Sequence, residues 1–152
     1  MSLDPNASLG FLVSDIARML REQFNETAQR LGLTLAQARA LVHLANHEGI
    51  SQVALAQRLE IQPITLLRQI DRLEESGLIE RRPNPRDRRA QQLFLTVAAG
   101  PLLTKIQELV SALTDNAFSN MSPTERETTI AMLGRVKANL SSSPTAKNED
   151  LA

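Results

Sequence analysis

The residue type with most to say about chemistry in this sequence is arginine. Within 81–89 stand Arg81, Arg82, Arg86, Arg88 and Arg89 against Asp87 alone, a local charge of +4. The chain as a whole is neutral, with 17 basic and 17 acidic residues. Residues 1–57 hold 4 basic and 5 acidic side chains, and residues 90–152 hold 5 and 6, so the excess is confined to the middle. Guanidinium groups present a planar fork of donors that matches phosphate oxygens. A short cluster of them in a neutral chain suggests a focused phosphate contact rather than a broad polyanion-binding surface. The competing reading is a solvated hairpin that is basic for no functional reason.

A second set of polar donors comes just before. Thr65, Arg68, Gln69 and Arg72 recur at i, i+3, i+4 and i+7, one face of a helix whose other face carries Leu66, Ile70 and Leu73. Arginine and glutamine are the side chains that pair bidentately with guanine and adenine edges in the major groove. Other constellations carry less. His43 and His47, at i and i+4, could bring two imidazoles to one metal ion. No cysteine and no third ligand at a telling spacing accompany them, so a helix face lining an interface is preferred and no metal or cofactor is expected. No glycine-rich nucleotide loop, serine elbow or close carboxylate–histidine set is present, which leaves an enzyme without a visible catalytic set.

Positioning these residues requires elements, and the sequence reads almost wholly as helix. Leu9, Leu12, Ile16, Met19, Leu20 and Phe24 recur at three- and four-residue spacing, predicting an amphipathic helix to about Leu31 that Gly32 ends. Thr34 with Gln37 forms a capping box for a helix to about His47. Ser51 caps a short helix from Gln52 to about Leu59, and Gln62-Pro63 opens the next, which stops at Gly77. The period then changes to that of two short strands, 78–82 and 91–96, with Pro83 and Pro85 keeping the loop between them out of helix. A long helix to about Phe118 follows. Ser122-Pro123-Thr124-Glu125 then caps a last helix carrying Ile130, Leu133, Val136 and Leu140. Residues 141–152 have almost no apolar content and are expected to form a mobile tail.

This order defines a mainly α fold. A tri-helical unit followed by a basic hairpin is the winged helix-turn-helix plan, with a two-stranded β wing and additional N- and C-terminal helices. At 152 residues one domain is expected, spanning 8–140. The absence of cysteine excludes a disulfide framework, a thiolate metal site and a thiol switch. No stretch is long and apolar enough to suggest a membrane span, and MSLDPNASLGF lacks the pattern of a secretory signal, so a cytoplasmic protein is expected. The first and last helices each carry an apolar stripe that the winged unit does not need for its own core. A two-fold dimer is therefore expected, burying Leu9, Leu12 and Ile16 of one chain against Leu133, Val136 and Leu140 of the other.

The segment Leu55–Thr96, LAQRLEIQPITLLRQIDRLEESGLIERRPNPRDRRAQQLFLT, resembles the core of the MarR/SlyA family of bacterial transcriptional regulators. RLEESGLI at 72–79 and DRR at 87–89 ahead of FLT at 94–96 carry the likeness, and the flanking helices follow the same plan. The resemblance implies a DNA-binding unit at 34–96 and dimerisation helices at 8–31 and 97–140. It implies a homodimer, most simply a repressor, on a near-palindromic double-stranded operator. Arg88 and Arg89 would reach the minor groove beside Arg86, with Asp87 fixing the arginine pair. Gln62, Pro63, Thr65, Arg68, Gln69 and Arg72 would meet bases and phosphates, and Ser51 and Gln52 a phosphate at a helix N-terminus. Ile64 and Leu67 depart from the family pattern, since small polar residues are common there; apolar contact with a thymine methyl is the alternative to hydrogen-bonded readout. Many relatives release DNA when a small aromatic acid binds. Met19, Phe24 and Leu44 are the expected walls of such a site here, with Arg39 and His43 as its polar groups. The reading from a different class is a winged-helix protein–protein module whose arginines pair with an acidic partner.

Overall fold

A computed structural model describes residues 8–142. The chain divides into two compact units, Met1–Leu113 and Thr114–Ala152. Helix α1 spans Leu9–Arg30, α2 Leu35–Asn46, α3 Gln52–Leu59 and α4 Pro63–Glu75. Strand β1 is Ile50–Ser51, β2 Ile79–Asn84 and β3 Asp87–Leu95, and helices α5 (Ala99–Ala117) and α6 (Pro123–Ser142) follow.

Local chemistry accounts for most of these limits. The Thr34 hydroxyl accepts the Gln37 N–H at 3.1 Å while the Gln37 carboxamide oxygen accepts the Thr34 N–H at 2.9 Å, the reciprocal box that starts α2. Ser51 Oγ accepts the Ala54 N–H at 3.2 Å and starts α3. Pro63 stands at the first turn of α4, where its missing N–H would have had no partner inside the helix. Past the end of α4, Gly77 turns the chain at φ +70°, a left-handed conformation that costs glycine little. The backbone then passes directly into β2.

The first unit closes around one core. Leu41 and Leu44 of α2, Leu55 and Leu59 of α3, and Leu66, Ile70 and Leu73 of α4 are fully buried. Ile79 and Leu93 seal it from the sheet and Ile106 from α5. Burying side chains of this size is worth about 1.5–3 kcal/mol each, which fixes α4 against α2 and α3 and leaves its outer face free.

The sheet is larger than the two short strands predicted. Its order is β1-β3-β2, all antiparallel, with Ile50 opposite Leu93, Ser51 opposite Gln92, and Arg82 opposite Gln92 on the other side. Strand β2 runs through Pro83 to Asn84, and β3 begins at Asp87, so only Pro85 and Arg86 remain at the tip. Pro83 is tolerated because β2 is an edge strand. The register slips between Pro83 and Asn84, a bulge that gives the tip its irregular pairing. Nothing in the sequence predicts strand β1.

In the second unit Ser122 and Glu125 form the expected capping box, with Ser122 Oγ accepting the Glu125 N–H at 3.2 Å and Glu125 Oε2 accepting the Ser122 N–H at 2.7 Å. Those bonds hold the Glu125 carboxyl below its ordinary range. Arg126 donates to Asp115 at 2.6 Å and lies over the Phe118 ring. Helix α6 continues through Ser141 and Ser142, so the first two residues of the expected tail are helical; the rest of it lies outside the described residues.

Candidate nucleic-acid interface

The arginine cluster of the sequence separates into two groups with different work. Arg81, whose side chain is only 16% exposed, donates to Asp71 at 2.5 Å and to Glu74, both on α4. Glu74 also accepts the Arg81 backbone N–H at 3.2 Å. Arg81 is therefore a strut between the helix and the first strand of the wing. Arg82 is held by Glu80 and lies 4.2 Å above the Phe94 ring, a cation–π contact within the wing itself. Both belong to the architecture rather than to an open cationic surface.

The other arginines are exposed, and among the described residues none of them is in an ion pair: Arg68 and Arg72 on α4, and Arg86, Arg88 and Arg89 on the wing. Three of the nearby acids, Asp71, Glu74 and Glu80, are engaged by Arg81 and Arg82, while Glu75 and Asp87 are exposed and in no ion pair among the described residues. The fold thus turns a nearly balanced stretch of sequence into a positive face spread over one helix and one hairpin.

The backbone of the tip is held by two short polar side chains. Asn84 Oδ1 accepts the Arg86 N–H and Asp87 Oδ1 accepts the Arg89 N–H, each at 3.0 Å. Such side-chain-to-backbone bonds two residues on mimic a turn and limit its freedom. The expectation that Asp87 fixes the arginine pair takes a backbone form: it holds the Arg89 N–H, and no side-chain ion pair joins it to Arg88 or Arg89.

On α4, Gln62 is the N-cap residue, and Gln62, Pro63 and Thr65 are exposed at the first turn beside Arg68 and Arg72. Gln69 is half-buried, and its carboxamide oxygen accepts the Thr34 hydroxyl at 3.2 Å. The start of α2 is thereby tied to the middle of α4, and Gln69 is less free to read a base than its spacing implied. Ser51 and Gln52 are half-buried at the start of α3. Pairing of Ser51 with Gln92 joins that helix N-terminus to the wing, a link the sequence reading missed.

The expected ligand walls do not come together in the same way. Leu44 is fully buried in the core, Met19 is 51% exposed on α1, and Phe24 packs against the core from outside. A hollow of about 360 Å³ lies instead between α2 and α5, lined by Val42, Ala45, Asn46, Leu103, Ile106 and neighbouring residues. Leu44 must therefore be reassigned to core packing. His43 is half-buried, and burial, reinforced by the nearby charges of Arg39, His47 and Arg58, lowers its pKa. His47 Nε2 lies 3.3 Å from Arg58 Nη1. Among the described residues no cluster of three or more metal-ligating side chains exists.

A helix-turn-helix packed on a three-stranded sheet with a cationic hairpin is a winged helix, the class of fold that presents one helix to a DNA groove and a wing beside it. The MarR family model matches residues 33–90, from the start of α2 into the wing. It is 32% identical over 106 residues to a proposed transcriptional regulatory protein for the hcr operon of Thauera aromatica, an alignment covering 70% of this chain and 64% of that relative's length. A crystal structure of MarR matches with a TM-score of 0.81 and 29% identity, covering 93% of this chain and 96% of that one. A MarR-family regulator from Silicibacter pomeroyi shares the fold at a TM-score of 0.80 and 24% identity, covering 94% and 97%. The Silicibacter pomeroyi protein is described as a transcriptional regulator and the Thauera protein as a proposed one.

Proposed function

We propose that this protein is a homodimeric repressor that binds a near-palindromic double-stranded DNA operator. The observation that carries the reading is the set of unpaired arginines on the outer face of α4 and on the wing, beside which Arg81 and Arg82 engage Asp71, Glu74 and Glu80. In this reading Arg68, with Arg72, Thr65, Gln62 and Pro63 around it, enters the major groove. Arg86, Arg88 and Arg89 follow the backbone into the minor groove, and Ser51 and Gln52 approach a phosphate.

The dimer rests on apolar surface that one chain leaves open. Leu9, Leu12 and Ile16 of α1 are 54%, 41% and 52% exposed, and Leu133 and Leu140 of α6 are 47% and 70% exposed. No residue of α6 is buried. Apolar side chains left exposed along each of these helices are a surface for association. Release by a small aromatic acid belongs to the same proposal. The hollow between α2 and α5 would take the ring, and Arg39, one turn before Val42 on α2, would supply a cation for the carboxylate.

Selection of bound sequences from random duplexes, followed by titration of the best one across a range of salt, tests the reading. Nanomolar, strongly salt-dependent binding to a site with two-fold symmetry is expected. Binding that shows no sequence preference, or none at all, would refute it.

A further inference from the structure

We infer that Ile64 is a specificity-determining residue that reads the C5-methyl group of a thymine in each half-site. The inference rests on the DNA-binding reading above. Ile64 is 61% exposed at the second position of α4, directly after Pro63. At 100° per residue it lies opposite the buried stripe of Leu66, Ile70 and Leu73 and one turn from Arg68, at the part of the helix that goes deepest into a groove. Single exposed apolar side chains are ordinary on protein surfaces. What sets Ile64 apart is its polar company: exposed Gln62, Thr65 and Arg68 stand around it, with Pro63 and the half-buried Leu67 as its apolar neighbours. Val53 on α3 is similarly exposed, at 58%. The first helix of such a motif crosses the sugar–phosphate backbone, however, where no apolar group awaits it.

The thymine methyl is the apolar feature of the major-groove edge, and an aliphatic side chain is its natural complement. The backbone favours Ile64 for this work. Pro63 fixes its own φ at the helix start, and a β-branched side chain in a helix keeps essentially one χ1 rotamer. The methyl groups of Ile64 are thus held in place before DNA arrives, and little side-chain entropy is lost on binding. Arg68 beside it can take a guanine edge, so the two residues together favour a half-site in which a thymine lies near a guanine.

The test replaces each thymine of the selected operator in turn by 2′-deoxyuridine, which removes the methyl and leaves every hydrogen-bonding group. With the full-length protein, one thymine per half-site should lose about fourfold in affinity on replacement, the value of one buried methyl-sized group. Ile64→Ala should bind the thymine and deoxyuridine operators equally, and its salt dependence should match that of the unaltered protein because Ile64 neutralises no phosphate. Ile64→Val should retain part of the discrimination. Operator binding that is indifferent to every replacement, or an Ile64→Ala variant that still distinguishes the two operators, would overturn the inference while leaving the DNA-binding reading intact. Failure of the unaltered protein to select any duplex would instead remove the reading on which it rests.

Discussion

At the residue scale, the arginines make opposite predictions according to their partners. The Arg88 and Arg89 side chains are exposed and in no ion pair among the described residues, so Arg88→Ala with Arg89→Ala should leave thermal stability nearly unchanged. DNA affinity should fall, and the slope of log K against log salt should become shallower by about one unit for each phosphate no longer neutralised. An unaltered slope would separate the wing from DNA. Arg68→Ala should instead relax preference at one or two positions of the site, with a cost of about 1–3 kcal/mol on the preferred base. His43 provides a pH test. Burial and neighbouring cations depress its folded pKa, so the unfolded chain takes up a proton at higher pH than the native one. Its contribution to stability is complete above the ordinary value of 6.5 and is lost as pH falls below it. Melting temperatures at pH 7.5 and pH 5.5 should therefore differ more for the unaltered protein than for His43→Gln; equal differences would rule the titration out.

At the scale of elements, the strut from α4 to β2 links recognition helix and wing. Arg81→Gln should leave Asp71 and Glu74 without their cation, both partly solvated, and destabilise the protein by roughly 1–2 kcal/mol. It should also weaken operator binding, although Arg81 itself meets no DNA in this reading, because the wing is no longer braced against the helix. A variant that melts early yet binds normally would show the strut to be structural only. The same strut shows where a sequence stops being legible. Helix starts could be read because their signals are local: Thr34 meets Gln37, Ser51 meets Ala54, Ser122 meets Glu125. The fate of Arg81 could not, since its partners lie seven and ten residues back and are brought close only by the turn at Gly77. Strand β1 was hidden for a related reason. Two residues have no period, and Ile50 and Ser51 are a strand only because Leu93 and Gln92 lie beside them. Gln69 had the right spacing for the reading face, but Thr34 engages it from a helix whose direction the sequence does not state.

At the scale of the whole molecule, assembly decides whether two reading heads can act together. Leu12→Glu with Ile16→Glu puts charges on the exposed apolar face of α1 and should yield a monomer by light scattering. Such a variant should keep its helical signal and lose most operator affinity, because one head would no longer benefit from the other. In the dimer the two α4 helices should stand about 34 Å apart, one turn of duplex. A dimer that survives both substitutions would place the interface elsewhere. The pairing of Asp71, Glu74 and Glu80 with Arg81 and Arg82 has a consequence for how the protein searches. In a molecule of zero formal charge, the unpaired arginines of α4 and the wing keep a local positive field over that face. That field steers the face toward a polyanion, and its phosphate contacts are available on random sequence as well as on the operator. Arrival at the operator should then slow as salt rises and the Debye length falls below about 10 Å, and residence on unrelated DNA should shorten in step.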